Sequence, residues 1–235
     1  MQKIRVSYQY PEIIIKEWEK HPEARFRIIV GGRGKSATWT FARKMIETSF
    51  RIKGGSGLCT RHIGRSHDLS TKKTLSLVIN TCMQMDYRQD SSGYHRTPYC
   101  LKDDSICTDC NKKETLAKYF TVLSNRIRNN VTGFTIDFNS LSKITEDESK
   151  GAEDFSIVWI GEAHSVPLTS LQKFIPSIRR TKSEIWLDWN PENRDDAVGI
   201  YFLKDPEEYP PKAKDLKGGV MFAFLEATQN PFFSE

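Results

Sequence analysis

The chain has 235 residues, 38% of them hydrophobic and 28% charged, with a formal net charge of +5. This apolar content excludes a disordered chain, and the length suits one large α/β domain better than two small ones. The small positive surplus is compatible with a polyanionic partner, while the absence of a signal-length apolar run or of a stretch near the ~20 apolar residues of a spanning helix points to a cytoplasmic protein with no membrane partner.

Residues 1–24 read as an entry segment in which IIIKEW is a short strand or a half-buried helix. FRIIV at 26–30 is a β-prone run. GGRGKS follows it directly, and ATWTFARKMIETSF then sets Phe41, Ala42, Met45 and Ile46 at helical spacing. After the turn RIKGGSG, LCT is a short strand, and a helix is expected from about Leu69 to Met85 with Leu75, Val78, Ile79 and Cys82 on its stripe. Periodicity fades from Asp86 to Lys113, which reads as a polar inserted loop at about 88–114. YFTVL and GFTIDF resemble paired strands flanking RIRNNVT. FSIVWI is a continuous apolar strand of the kind covered on both faces. A polar switch and a helix lead to the strand EIWLDW, and KGGVMFAFLEA supplies a last strand.

Strand, glycine-rich turn and helix in that order form the context of a phosphate-binding loop. Backbone amides and the positive end of the helix can surround phosphates while a lysine neutralises their oxygens. Lys35 is the candidate lysine and Ser36 the candidate Mg²⁺-binding hydroxyl. Gly31, Gly32 and Gly34 permit close backbone approach, and Arg33 is directed toward phosphate or a neighbouring subunit. The bland alternative is a glycine-rich turn with a solvated lysine, because the full G-x-x-x-x-G-K-[ST] spacing to Lys35 is missing. At the end of FSIVWI, Glu162 is the candidate water-positioning base, and Gly161 stands where an acidic Mg²⁺ partner is expected. A helix-start carboxylate satisfied by local amides is the alternative for Glu162. Asn190, at the carboxyl end of EIWLDW, can touch a γ-phosphate or its water, or simply form an Asn-Pro turn with Pro191.

Taken together, RIIVGGRGKS, LCTR, SIVWIGEAHSV, IPSIRR with SEIWLDWNPEN, and the closing NPFF make the chain resemble the N-terminal ATPase region of the tailed-phage terminase large subunit, over roughly Arg25 to Phe233. That resemblance implies a RecA-like P-loop ATPase fold, α/β with a central, largely parallel sheet flanked by helices, occupying 25–235. It implies ATP and Mg²⁺ as cofactors and ATP-driven translocation of double-stranded viral DNA into a procapsid. The implied partners are the DNA, the phage portal, the small terminase subunit and, in the assembled motor, a homo-oligomeric ring in the cytoplasm of an infected or prophage-bearing bacterial host.

By the same resemblance Lys35 and Ser36 match the loop lysine and hydroxyl, Arg33 the loop arginine, Glu162 the catalytic glutamate, Asn190 the coupling amide, and Arg61 a landmark with a nucleotide-side or packing role. The family pattern GGRGSGKS has a Ser-Gly pair that is missing before Lys35, and its two consecutive acids are here Gly161-Glu162. The chain ends near the family's handover to a nuclease, so that domain is expected to be absent. The rival readings are a catalytically silent or truncated homologue acting as a structural or binding module, and another P-loop nucleic-acid motor.

Two further features stand apart from the loop. His95, Cys100, Cys107 and Cys110 are donors of types zinc accepts, at loose spacing, with reduced cysteines in a polar insertion as the alternative and Cys59 and Cys82 packed in the core. Arg126, Arg128, Arg179 and Arg180 are candidates for DNA-phosphate contact or for an ordinary solvated face.

Overall fold

A computed structural model describes residues 8, 10–31, 37–62, 71–80, 85–90, 93–100, 115–141, 152–191 and 196–225, the last two strand segments before 101 as backbone alone. In chain order the elements are α1 (Glu12–Lys20), β1 (Phe26–Gly31), α2 (Ala37–Arg51), β2 (Ser56–Arg61), α3 (Thr71–Asn80), β3 (Met85–Asp90), β4 (Gly93–Cys100), β5 (Phe120–Val122), β6 (Arg126–Asn129), β7 (Thr135–Ser140), β8 (Ile157–Gly161), α4 (Leu168–Ser177), β9 (Glu184–Trp189), α5 (Ala197–Phe202) and β10 (Val220–Leu225). None of the described helices is long and apolar enough to cross a membrane.

The main sheet runs β10-β1-β9-β8-β2-β7-β6-β5. Its first six strands pair in parallel, which requires long crossovers and buries both faces under helices. The unbroken apolar runs FRIIV and IVWI follow from that burial, since every residue of β1 and β8 is buried. The RecA-like, largely parallel α/β architecture expected from the sequence is therefore the one observed.

The sheet separates two cores. On one face Ile29, Cys59, Trp159 and Trp186 meet α2 and α3 through Phe41, Met45, Ile46, Leu75, Val78 and Ile79. On the other, Ile28, Val158, Ile160, Ile185 and Leu187 meet α4 and α5 through Leu171, Phe174, Ile175, Val198 and Phe202. Alternate strand residues point to opposite faces, so successive residues of each strand divide between the two cores. Cys59 packs as a buried free thiol, and burial pushes its pKa up, as expected of a structural cysteine.

Arg27 is an exception in the apolar β1. Its side chain is buried and its guanidinium donates to Glu184 on β9 at 2.5 Å and to the carbonyls of His21 at 3.2 Å and Pro22 at 2.9 Å, while lying 4.3 Å from the Trp18 ring. A buried cation is tolerable because its donors are engaged, and these bonds tie the entry segment to the sheet.

IIIKEW forms the helix α1, one of the two readings expected for it. Three stretches differ from the sequence expectation. YFTVL and GFTIDF, expected to pair with each other, are each paired antiparallel with β6, which lies in the RIRNNVT segment between them. Its alternating burial places Ile127 and Asn129 inward and Arg126 and Arg128 outward, a period of two within only four residues. The polar insertion opens with an antiparallel hairpin of β3 and β4, so its first part is strand. The helix α3 is described over Thr71–Asn80, and Met85, expected as its end, opens β3.

Candidate functional site

Parallel pairing brings four strand ends to one edge. Val30 is level with Trp189, Gly161 with Asp188, and Thr60 with Ile160. Gly31, Arg61, Gly161, Asp188 and Asn190 thus share the carboxyl edge of the sheet, where open α/β sheets bind ligands. Gly31 ends β1 and Arg61 ends β2, whereas Gly32, Arg33, Gly34, Lys35 and Ser36 lie outside the described residues. The zinc candidates Cys107 and Cys110, the side chains of His95 and Cys100, and Cys82 likewise lie outside the described residues.

Glu162 follows β8 with φ 51° and ψ 47°, a left-handed conformation that costs a non-glycine residue roughly 1–3 kcal/mol. The chain turns sharply there, and the carboxylate swings back to receive Arg61 Nη2 at 2.7 Å. The Arg61 side chain is almost fully buried and that of Glu162 half-exposed, so an inner cation anchors a carboxylate that still faces solvent. The two residues singled out separately in the sequence form one pair.

Asp188 was not singled out in the sequence, yet it is the buried carboxylate of this edge. It accepts from the Trp159 indole N–H at 2.5 Å through Oδ1 and from the Thr38 hydroxyl at 3.1 Å through Oδ2. Burial pushes its carboxyl above the usual carboxylate range, against the hydrogen bonds from Trp159 and Thr38 and the nearby Arg61 charge. Thr38 stands in the first turn of α2, so the helix after the glycine-rich segment is tied to β9. The signal for Asp188 was a lone acid in the apolar run EIWLDW.

Gly161 leaves space in the middle of this group. A Cβ there would sit 3.5 Å from Arg61 Nε, 3.6 Å from Thr71 Oγ1 and 3.7 Å from Asp188 Oδ1, all ordinary contacts. Arg61 Nε and Thr71 Oγ1 are buried and have no hydrogen-bond partner among the described residues.

The basic pairs considered for DNA are largely engaged with acidic or carbonyl groups. Arg126 forms a two-point pair with Asp137, Arg179 reaches Glu153 at 3.5 Å, and Arg180 donates to the Asp154 carbonyl at 2.9 Å. Arg128 is exposed on β6.

With this edge in view, comparison with known proteins is decisive. The family described as phage terminase large subunit matches residues 103–235, more than half of the chain. The chain belongs to the phage terminase large subunit family. None of the curated proteins matches. Among solved structures, the large terminase from a thermophilic bacteriophage superposes with a TM-score of 0.64 at 9% identity, covering 97% of this chain and 48% of the phage protein. The same enzyme in complex with ADP gives 0.59 at 8% identity over 97% and 48%. The large terminase ATPase domain of Thermus phage P74-26 gives 0.52 at 11% identity over 94% and 86%. At these identities the likeness shows the fold. This terminase chain spans about half the length of the first of these relatives.

Proposed function

We propose that this terminase chain is an ATP-driven motor domain that translocates double-stranded viral DNA into a procapsid. The observation carrying the proposal is the convergence of Gly31, Glu162, Arg61 and Asn190 on one sheet edge, beside the amino end of α2. That a large terminase of like fold forms a complex with ADP supports a nucleotide ligand for this chain.

In this reading Gly31, Gly32 and Gly34 let the backbone approach the phosphates, and Lys35 and Arg33 neutralise their oxygens. Glu162 orients the attacking water, and Arg61 fixes the carboxylate so that it is already placed before the substrate arrives. Asn190 touches the γ-phosphate side and reports nucleotide state to the chain beyond β9. Mg²⁺, when bound, would offset the negative charge that develops on the phosphate oxygens. The oxygen donors described at this edge, the Asp188 and Glu162 carboxylates and the Thr38 hydroxyl, are of the hard type that Mg²⁺ takes.

The partners proposed are the DNA backbone, the portal and the small terminase subunit, with neighbouring copies completing a ring. Packing must accept any sequence, so contacts to phosphate rather than to base edges are required.

The test is ATP turnover by the purified protein with and without double-stranded DNA. Turnover that rises with DNA of unrelated sequences and is lost in Lys35→Ala is expected. A folded protein whose turnover ignores DNA contradicts the motor reading and favours a binding module.

A further inference from the structure

Counted to Lys35, the glycine-rich segment lacks two residues; counted in the sequence from Gly31, the last residue of β1, it has a different frame. Positions 31 to 38 are eight, the span of G-x-x-x-x-G-K-[ST]. In that frame Gly31 is the first glycine, Ser36 and Ala37 stand at the Gly-Lys pair, Thr38 stands at the hydroxyl position, and Lys35, two positions before the usual lysine, is the lysine of the span that remains for the phosphates. The Thr38 hydroxyl is bonded to the carboxylate of Asp188.

The acid expected at the end of β8 is missing, because Gly161 brings no side chain. Asp188 lies directly beside Gly161 on the neighbouring strand, and its Oδ1 is 3.7 Å from where a Gly161 Cβ would be. A carboxylate on either strand reaches the same space. Beside that space Thr71 Oγ1, an oxygen of the hard type a divalent cation accepts, is buried without a hydrogen-bond partner among the described residues.

We infer that Thr38 and Asp188 hold the nucleotide-bound divalent cation, with the carboxylate moved from the end of β8 to β9 and the hydroxyl from Ser36 to Thr38. This rests on the ATP-binding reading proposed above. Mg²⁺ is commonly held by one or two protein groups with phosphate and water supplying the rest, so a single carboxylate and one hydroxyl suffice. Gly161 is then the counterpart of Asp188: the strand that lost its acid leaves room beside the strand that carries one.

The test compares ADP affinity with Mn²⁺ and in EDTA, with the electron paramagnetic resonance spectrum of the bound Mn²⁺ as a second readout. Wild type is expected to bind ADP in EDTA and to bind it more tightly with Mn²⁺. Asp188→Asn and Thr38→Ala should each reduce the Mn²⁺-dependent gain roughly tenfold or more, on the scale on which metal sites respond to altered ligation, while ADP binding in EDTA persists. Adding Gly161→Asp to Asp188→Asn should restore the gain, because its Cβ has room and its carboxylate enters the same space. Thr38→Ala, at a half-buried helix-end position, keeps the question answerable if Asp188→Asn does not fold. A full Mn²⁺ gain in folded Asp188→Asn overturns the inference alone, as does loss of the gain in Ser36→Ala with retention in Thr38→Ala. No ADP binding by folded wild type in either condition overturns the nucleotide reading and this inference with it.

Discussion

Glu162→Gln is expected to lower ATP turnover by about 10²–10⁴-fold, equivalent to about 3–5 kcal/mol of barrier, while leaving ATP bound. The amide keeps the size and the left-handed backbone of Glu162, so the sharp turn after β8 persists. What it loses is the negative charge that attracts a proton from the attacking water, and with it the charge that Arg61 holds at 2.7 Å. The Glu162 side chain is half-exposed but that of Arg61 is buried, so loss of the counter-charge is expected to lower thermal stability as well, and folding is checked on the same sample. Steady-state hydrolysis and equilibrium nucleotide binding measured on the same sample check the split. Equal losses of turnover and of affinity would make Glu162 a structural carboxylate of the turn.

Phe41→Ala is expected to destabilise the fold by about 3–5 kcal/mol, the cost of removing a fully buried aromatic and leaving a cavity. Phe41 stacks on Trp186 at 5.3 Å between ring centres with planes 18° apart, and also contacts Trp159 at 6.0 Å and Trp18 at 6.4 Å. It is the point at which α2 is fixed to β8, β9 and α1 together. The ring cluster lies one helical turn from Thr38, so loosening α2 also loosens the Thr38–Asp188 bond. Urea unfolding should show a lower midpoint with an unchanged slope. A loss below about 1 kcal/mol would mean that the surrounding rings close over the gap and that α2 is held mainly by other contacts.

Sequence reading succeeded where the signal was local. FRIIV, FSIVWI and EIWLDW are apolar runs whose burial on both faces matches their composition, and Phe41, Ala42, Met45 and Ile46 mark the buried stripe of α2. It failed at β6, where RIRN is four residues long and alternates charge with an inward Ile127 and Asn129, and so carried too short a pattern to mark a strand. The hairpin of β3 and β4 escaped for a similar reason, its strands being rich in polar groups. At the carboxyl edge of the sheet, the position of Glu162 was legible because it follows an apolar strand. Asp188 and Thr38 were not, since their meeting depends on β9 lying between β1 and β8, an order that strand propensities do not encode. Arg61 was visible only as a landmark, and the structure gives it a partner in Glu162.

The measurement that tests the central claim most directly is calorimetric titration of ATP into the purified protein with Mg²⁺ present, beside a Lys35→Ala control. Saturable binding that disappears in the control is predicted, because the edge formed by β1, β8 and β9 is read as a phosphate site completed by Lys35. Absence of binding in a sample shown to be folded would contradict the account and leave the chain a terminase fold without a nucleotide site of its own.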